Sequence, residues 1–478
     1  MRKILLAGLI VGIGIVLTGC KKELERINKN PNEPVTAQPD YLLSNGIKAN
    51  VDTYWGENAA METSLLYIQY WAKIQYPDPD RYIPASSAIQ SIWSNFYAQG
   101  VQDFTTLAQL GDSLHHPNYK AVGNIMRSWI FQVLTDLYGD IPYTQAANID
   151  QYLTPVYDPQ QVVYTGILTA LKGASKDITL TGNPILGDSL LRSNMLRWKK
   201  FANGLRLRVA LRIADRDFAT AKAVFEEVAA EGNVLLESGD EDVKLNYLTS
   251  PNQNPVGRNR ETRNDYRISK AVVDKLKSLN DPRLSIYAAL PRDTNVIIGV
   301  TNGLTADSAS RLGFYRTSDI GAAFTASQSP AYLFTYAEQL FILAEAAQRN
   351  LISGNAAALY ENAVRAAFKQ YGITGPAVDA YLTQPAVVYD AAAYKRVIGE
   401  QKWLALFGEG LEAFAEWRRL DYPQLKPAYT GVLSGAVKIP VRLSYPSSEQ
   451  ALNGANYKAA VSRQGPDLLT TKLWFDIY

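Results

Sequence analysis

Apolar residues three and four positions apart recur along this chain in matched segments, and that spacing leaves few folds open. Ile89, Trp93, Phe96, Gly100, Phe104 and Leu107 share one helical face, and Met126, Trp129, Ile130, Val133 and Leu137 share another. Val163, Ile167, Ala170 and Ala174 are followed in the same way by Trp198, Phe201, Leu205, Val209 and Ile213. The clearest case sets Tyr336, Leu340, Leu343 and Ala347 before Tyr360, Ala363, Val364, Ala367 and Tyr371, and a fourth pair is read from Tyr394 to about Trp417. A helix with one apolar stripe must bury it against a neighbour. The expected fold is therefore all-α in the main, with about four helix pairs over residues 89–214 and 330–418.

Small residues such as Ala363, Ala366 and Ala367 set against Leu340 and Leu343 resemble tetratricopeptide units, although the strict consensus is not met. Such pairs stack into solenoids that serve as docking surfaces. The pairs are interrupted. Residues 232–329 carry many Gly, Pro, Asn and Asp residues without a helical repeat, residues 41–88 read as a smaller irregular region, and 422–478 are poor in helix signals. Long irregular insertions add little loop entropy and often carry function, so ligand contacts are expected in 41–88 and 232–329.

The first residues obey a different rule. Arg2 and Lys3 precede an unbroken apolar run from Ile4 to Leu17, which is shorter than the ~20 residues a membrane helix needs and stops at Thr18-Gly19-Cys20. Residues 1–19 read as a signal peptide, and LTGC is similar to the bacterial lipobox, which makes Cys20, the sole cysteine, a lipid attachment point. A buried cysteine beside an ordinary secretory cut is the alternative. The charged KKELE that follows looks like a surface-export signal, and the Asn- and Pro-rich stretch to residue 40 reads as a tether, leaving 41–478 as one domain.

With 48 basic and 46 acidic residues the chain has no broad positive field, so nucleic acid is not an expected partner. Tyrosines and tryptophans, 29 and 8, outnumber the 14 phenylalanines, which suits surfaces that stack on polar ligands. Catalytic chemistry finds no set of residues. GDSL occurs at Gly111–Leu114 and Gly187–Leu190, but the only histidines are the adjacent His115 and His116, which supply no general base near the end of the chain. No ligand set for zinc stands out, GIGIVLTG lacks the spacing of a dinucleotide loop, and none of the many acidic pairs is singled out for glycoside cleavage. No cofactor is expected.

Several stretches together carry a resemblance: INKNPNEP, LTDLYGDIPYTQA, RWKKFANGLRLRVALR, TYAEQLFILAEAAQRN, GEQKWLALFGEGLEAFAEWRRLDYPQL, KIPVRLSYPSSEQALN and the closing LWFDIY. They resemble the SusD/RagB family of nutrient-binding outer-membrane lipoproteins, in its SusD-like branch. These motifs read as fold-defining, with Gly139 a helix cap and Arg206, Arg208 and Arg212 placed to bridge acids on neighbouring helices. The resemblance implies four tetratricopeptide-like pairs, an outer-membrane lipid anchor, and a TonB-dependent barrel of the SusC type as partner, over which the protein sits as a lid. Ligand would bind on the loop-rich face. For an oligosaccharide, the candidate contacts are Tyr54 and Trp55, Tyr76 and Tyr82, and Tyr315 with Arg316. For a peptide they are Arg258, Arg260 and Arg263. Trp55, in a polar stretch, is the first choice for a stacking platform. A surface glycosidase is the third and remotest reading.

Overall fold

The computed structural model describes residues 37–433 and 438–478. Cys20 and the leader and tether around it lie outside the described residues. The chain enters α1 (Pro39–Trp55), continues through a π-helical turn, Glu57–Ser64, and reaches strand β1 (Trp71–Lys73). Helices α2 (Ser86–Asn95), α3 (Gln102–Ser113), α4 (Pro117–Tyr138), α5 (Gln160–Asp177), α6 (Met195–Ile213) and α7 (Phe218–Glu231) follow. The long insertion holds β2 (Val243–Leu245), α8 (Pro255–Arg260), β3 (Tyr266–Ile268) and α9 (Lys270–Ser278), and β4 (Ala331–Phe334) follows directly after it. The second helical block comprises α10 (Tyr336–Gln348), α11 (Ala356–Lys369), α12 (Pro376–Leu382), α13 (Tyr394–Ala405) and α14 (Gly410–Leu420). The tail adds α15 (Ser447–Leu452) and α16 (Gly454–Gln464).

The molecule is mainly helical, and the expected pairs form. From α3 to α7 each helix packs on the next, α6 crosses to α10, α10 pairs with α11 and touches α13, and α14 returns to α4. Local chemistry fixes the ends. Pro117 opens α4 behind the His116 ring, whose Nδ1 accepts the Tyr119 N–H, and Gly139 closes it at φ 86°, a conformation that only glycine adopts readily. Gly123 lets α4 meet α3 closely, since a Cβ there would stand 2.9 Å from the Ala108 nitrogen. Thr335 caps α10 by accepting the Glu338 N–H at 3.1 Å, while the Glu338 carboxylate turns inward to Arg208.

Charge is paired deep inside this array. Arg208 holds Glu338 through two hydrogen bonds of 2.6 and 2.7 Å, and Arg212 reaches Glu412 at 2.6 Å and Glu416 at 2.8 Å. Arg419 grips both oxygens of Glu345 at 2.6 Å. Arg206 joins Glu227 and Glu231. The arginine series on α6 thus bridges acids on neighbouring helices. A buried charge is tolerated only when paired and hydrogen-bonded, so these pairs fix which helix faces which.

Two regions depart from the sequence reading. Residues 41–88, expected to be irregular, are largely helical, because Leu43, Ile47, Val51 and Tyr54 form a stripe against α3 that the intervening Asn, Gly and Lys residues conceal. The tail, which showed few helix signals, forms α15 and α16. Neither GDSL is an elbow. One ends α3, and in the other Asp188 is a turn acceptor for the N–H groups of Leu190, Leu191 and Ser193.

Candidate functional site

Short antiparallel sheets stitch the insertion to the helices: Trp71 pairs with Ile268 and Lys73 with Tyr266, and β2 runs along β4. At the end of β1 the chain turns outward, and a single side chain gathers three loops beneath it. Asp80, fully buried, accepts the Lys73 N–H at 3.1 Å and the Gly303 N–H at 2.9 Å on Oδ2, and the Asn302 amide at 2.7 Å on Oδ1. Asn302 and Gly303 in turn accept the backbone N–H groups of Tyr429 and Thr430 at 2.9 and 3.0 Å, and Arg81 Nε donates to Thr430 Oγ1 at 2.9 Å. Burial pushes the Asp80 carboxyl up to about 6, against the pull of those three donors.

Beside this knot lies an open groove of about 990 Å³. Tyr76 stands in it 69% exposed, held at φ 48°, a left-handed conformation that non-glycine residues adopt only under constraint. The Arg263 guanidinium lies 5.3 Å from the Tyr76 ring centroid, bonds Asp265 at 2.6 Å and approaches Glu57 at 3.5 Å. Glu62 takes the Lys73 ammonium at 2.5 Å and the Tyr266 hydroxyl. Phe314 closes the far wall, with Arg267 4.4 Å from its ring. One aromatic with a free face, a guanidinium, the carboxylates of Glu57, Glu62 and Asp78 and the amides of Asn58 and Gln75 therefore converge in a wide cleft. Such an arrangement can stack a polar ring and hydrogen-bond its hydroxyls.

The structure sorts the sequence candidates. Tyr76 lines the groove. Tyr315 neighbours Phe314, is 51% exposed, and carries Arg292 3.3 Å above its ring. Arg316 and Arg258 are exposed but outside the groove lining. Arg260 is spent on Asp319. Tyr54, Trp55 and Tyr82 are corrections: all three are core residues. Tyr54 packs 5.2 Å from Trp129, and Trp55, 3% exposed, donates its Nε1–H to the Tyr332 carbonyl at 3.0 Å. The Tyr82 hydroxyl, buried, accepts the Ala428 N–H at 2.8 Å. Glu57, Glu62, Lys73 and Phe314 were not among the sequence candidates; Glu57 and Phe314 had a signal in the chain, two residues from Trp55 and next to Tyr315.

A family model described as "SusD-like_2: Starch-binding associating with outer membrane" matches residues 31–446. Among solved structures, a chitin-binding protein superposes with a TM-score of 0.82 at 27% identity, covering 92% of this chain and 100% of its own. A SusD homolog from Bacteroides uniformis gives 0.80 at 26% identity, with 92% and 100% covered. A chitin-binding SusD homolog from Flavobacterium johnsoniae gives 0.81 at 25%, with 92% and 98% covered. No curated protein matches the chain.

Proposed function

The chain belongs to the SusD-like family, whose members bind nutrients and associate with the outer membrane, and from that premise we propose that it captures oligosaccharides at the cell surface and passes them, without cleaving them, to a SusC-like TonB-dependent transporter. The observation that carries this reading is the groove itself: the exposed Tyr76 beside Arg263, Glu57 and Glu62. Of the arginines a peptide would use, Arg260 and Arg263 are bonded to Asp319 and Asp265, and Arg258, though exposed, lies outside the groove lining. Two chitin-binding neighbours support a glycan ligand. Calorimetry of the purified protein against a panel of oligosaccharides and peptides tests the reading. Saturable glycan binding without turnover is expected, and binding of peptides alone would overturn it.

Attachment at Cys20 is part of the same proposal, supported by the LTGC quartet. No helix among the described residues is long and apolar enough to cross a membrane. Cys20→Ala should release the protein from membranes in fractionation, and retention of that variant would remove the lipid anchor from the account.

A further inference from the structure

A second cavity, of about 650 Å³, shares no lining residue with the groove. It opens between the β2–β4 sheet, the first turn of α10, the outer face of α11 and the turn into α12. Asp242 stands in its wall at only 4% exposure. Its Oδ1 accepts the Tyr336 N–H at 2.7 Å, and its backbone carbonyl accepts Arg197 Nη2 at 2.9 Å. Among the described residues nothing donates to Oδ2. Burial pushes this carboxyl up to about 7, opposed by the Tyr336 N–H and by the charges of Lys244 and Arg197, and reinforced by Asp240. A nearly buried carboxylate with one oxygen unbonded by the protein is relieved by a cationic donor.

The rest of the lining narrows what that donor belongs to. Tyr332 and Tyr336 are half-buried, and Lys244 stands 5.2 Å from the Tyr332 centroid. Asn362 and Gln370 bring amides. Arg365 is engaged by Asp379 at 2.6 Å and Glu237 by Lys200 at 3.0 Å, whereas Lys244 and Lys369 have no ion pair among the described residues. The open valences are therefore the Asp242 carboxyl within the wall, the exposed Asp240 carboxylate at its rim, and several donors around them. An aliphatic amine would leave the amides and lysines without acceptors. A neutral sugar would leave the carboxylate without a counter-charge.

We propose that this cavity is a second ligand site, separate from the groove, that takes a single sugar ring carrying a protonated amine, with the ammonium on Asp242 Oδ2 and the hydroxyls turned to Asn362, Gln370, Lys244 and Lys369. Its volume falls in the range of small-molecule pockets. Selectivity follows from charge: acetylation of the amine removes the cation and adds bulk at the carboxylate.

The test is titration of the purified protein with D-glucosamine, N-acetyl-D-glucosamine and D-glucose, followed by calorimetry or ligand-observed NMR. Glucosamine is expected to bind roughly ten- to hundredfold more tightly than the other two, the span of one charge-assisted hydrogen bond. Asp242→Asn, which keeps an acceptor for the Tyr336 N–H, should erase that preference, while Tyr76→Ala in the groove should leave it intact. Asn362→Ala, a substitution of an exposed side chain, reads the same cavity should Asp242→Asn fold poorly, and is expected to weaken glucosamine severalfold at unchanged Tm. The proposal is overturned by absent glucosamine binding, by equal affinity for glucose, or by affinity indifferent to both cavity variants. Loss of glucosamine binding in Tyr76→Ala would place the ligand in the groove and overturn it equally. Failure of oligosaccharides to bind the groove would count against the proposed function and leave this result untouched.

Discussion

The helical array and the loop face use the same residue types for opposite ends. In the array, Arg208, Arg212 and Arg419 are buried and each meets two or more carboxylate oxygens. On the loop face, Tyr76 and Tyr315 are more than half exposed and each lies beside an arginine, Arg263 or Arg292, that is itself open to solvent. The difference teaches that arginine and tyrosine announce nothing by themselves. What separates the two regions here is whether the side chain is sealed in the interior or keeps a face open to solvent.

The sharpest way to break the comparison is inside the array. Burial opposes ionisation of Glu416, yet Arg419, Lys402 and Arg212 hold it well below the usual carboxylate range. Arg212→Met leaves Glu412 and Glu416 short of a donor, and removing one member of a buried pair costs about 3–5 kcal/mol. Thermal or urea denaturation should show a loss of that size. A change under about 1 kcal/mol would mean that water replaces the guanidinium and that the network is not structural.

Trp55→Ala should come close behind. Its ring packs against Gly408, where a Cβ would lie 3.2 Å from Trp55 Cζ3, and truncating a buried tryptophan costs about 3–5 kcal/mol. Near-wild-type stability with lost glycan affinity would restore Trp55 to the ligand site and collapse the distinction between the regions.

Asp80 sits on the boundary, a buried group that shapes an exposed face. Asp80→Asn can keep the Lys73 and Gly303 donors on its oxygen but turns an amide toward the Asn302 amide, so a loss of about 1–3 kcal/mol is expected. The pH dependence has a definite sign. With a folded pKa near 6, above the ordinary carboxylate value of 3.8, the folded state binds the proton more tightly than the unfolded chain. This group's contribution is therefore greatest below about 4, declines as pH rises through about 6, and is constant above that. The Tm of Asp80→Asn against pH should lack that decline, and parallel curves for the two proteins would refute the assignment.

How much of this was readable follows from the same contrast. The paired helices were legible because Trp93, Trp129 and Trp198 sit in rows of apolar residues with helical spacing, and the α6 arginines because the close series Arg206, Arg208 and Arg212 needs partners. Tyr54, Trp55 and Tyr82 were not. Asp52, Thr53 and Glu57 give the first two a polar neighbourhood in sequence, while in space their rings point to the core. The groove could not be assembled from sequence at all, since Glu57, Tyr76, Arg263 and Phe314 meet only after β1 pairs with β3.

Tyr76→Ala carries the smallest expected effect on stability and the clearest meaning. The side chain is 69% exposed, so its removal should shift stability by no more than about 0.5 kcal/mol. It gives up its contact with Arg263, which keeps its bond to Asp265 at 2.6 Å. Glycan affinity should nevertheless fall severalfold, because a stacked ring contributes about 0.5–1.5 kcal/mol beyond the area it buries, and a factor of ten in affinity is about 1.4 kcal/mol. Tyr76→Phe separates the parts of that effect: affinity kept by Phe and lost by Ala assigns the binding to the ring face. Affinity lost by both assigns it to the hydroxyl. Unchanged calorimetry with both variants would move the ligand off this groove, toward Tyr315 and Arg316, where the same pair of substitutions can be repeated.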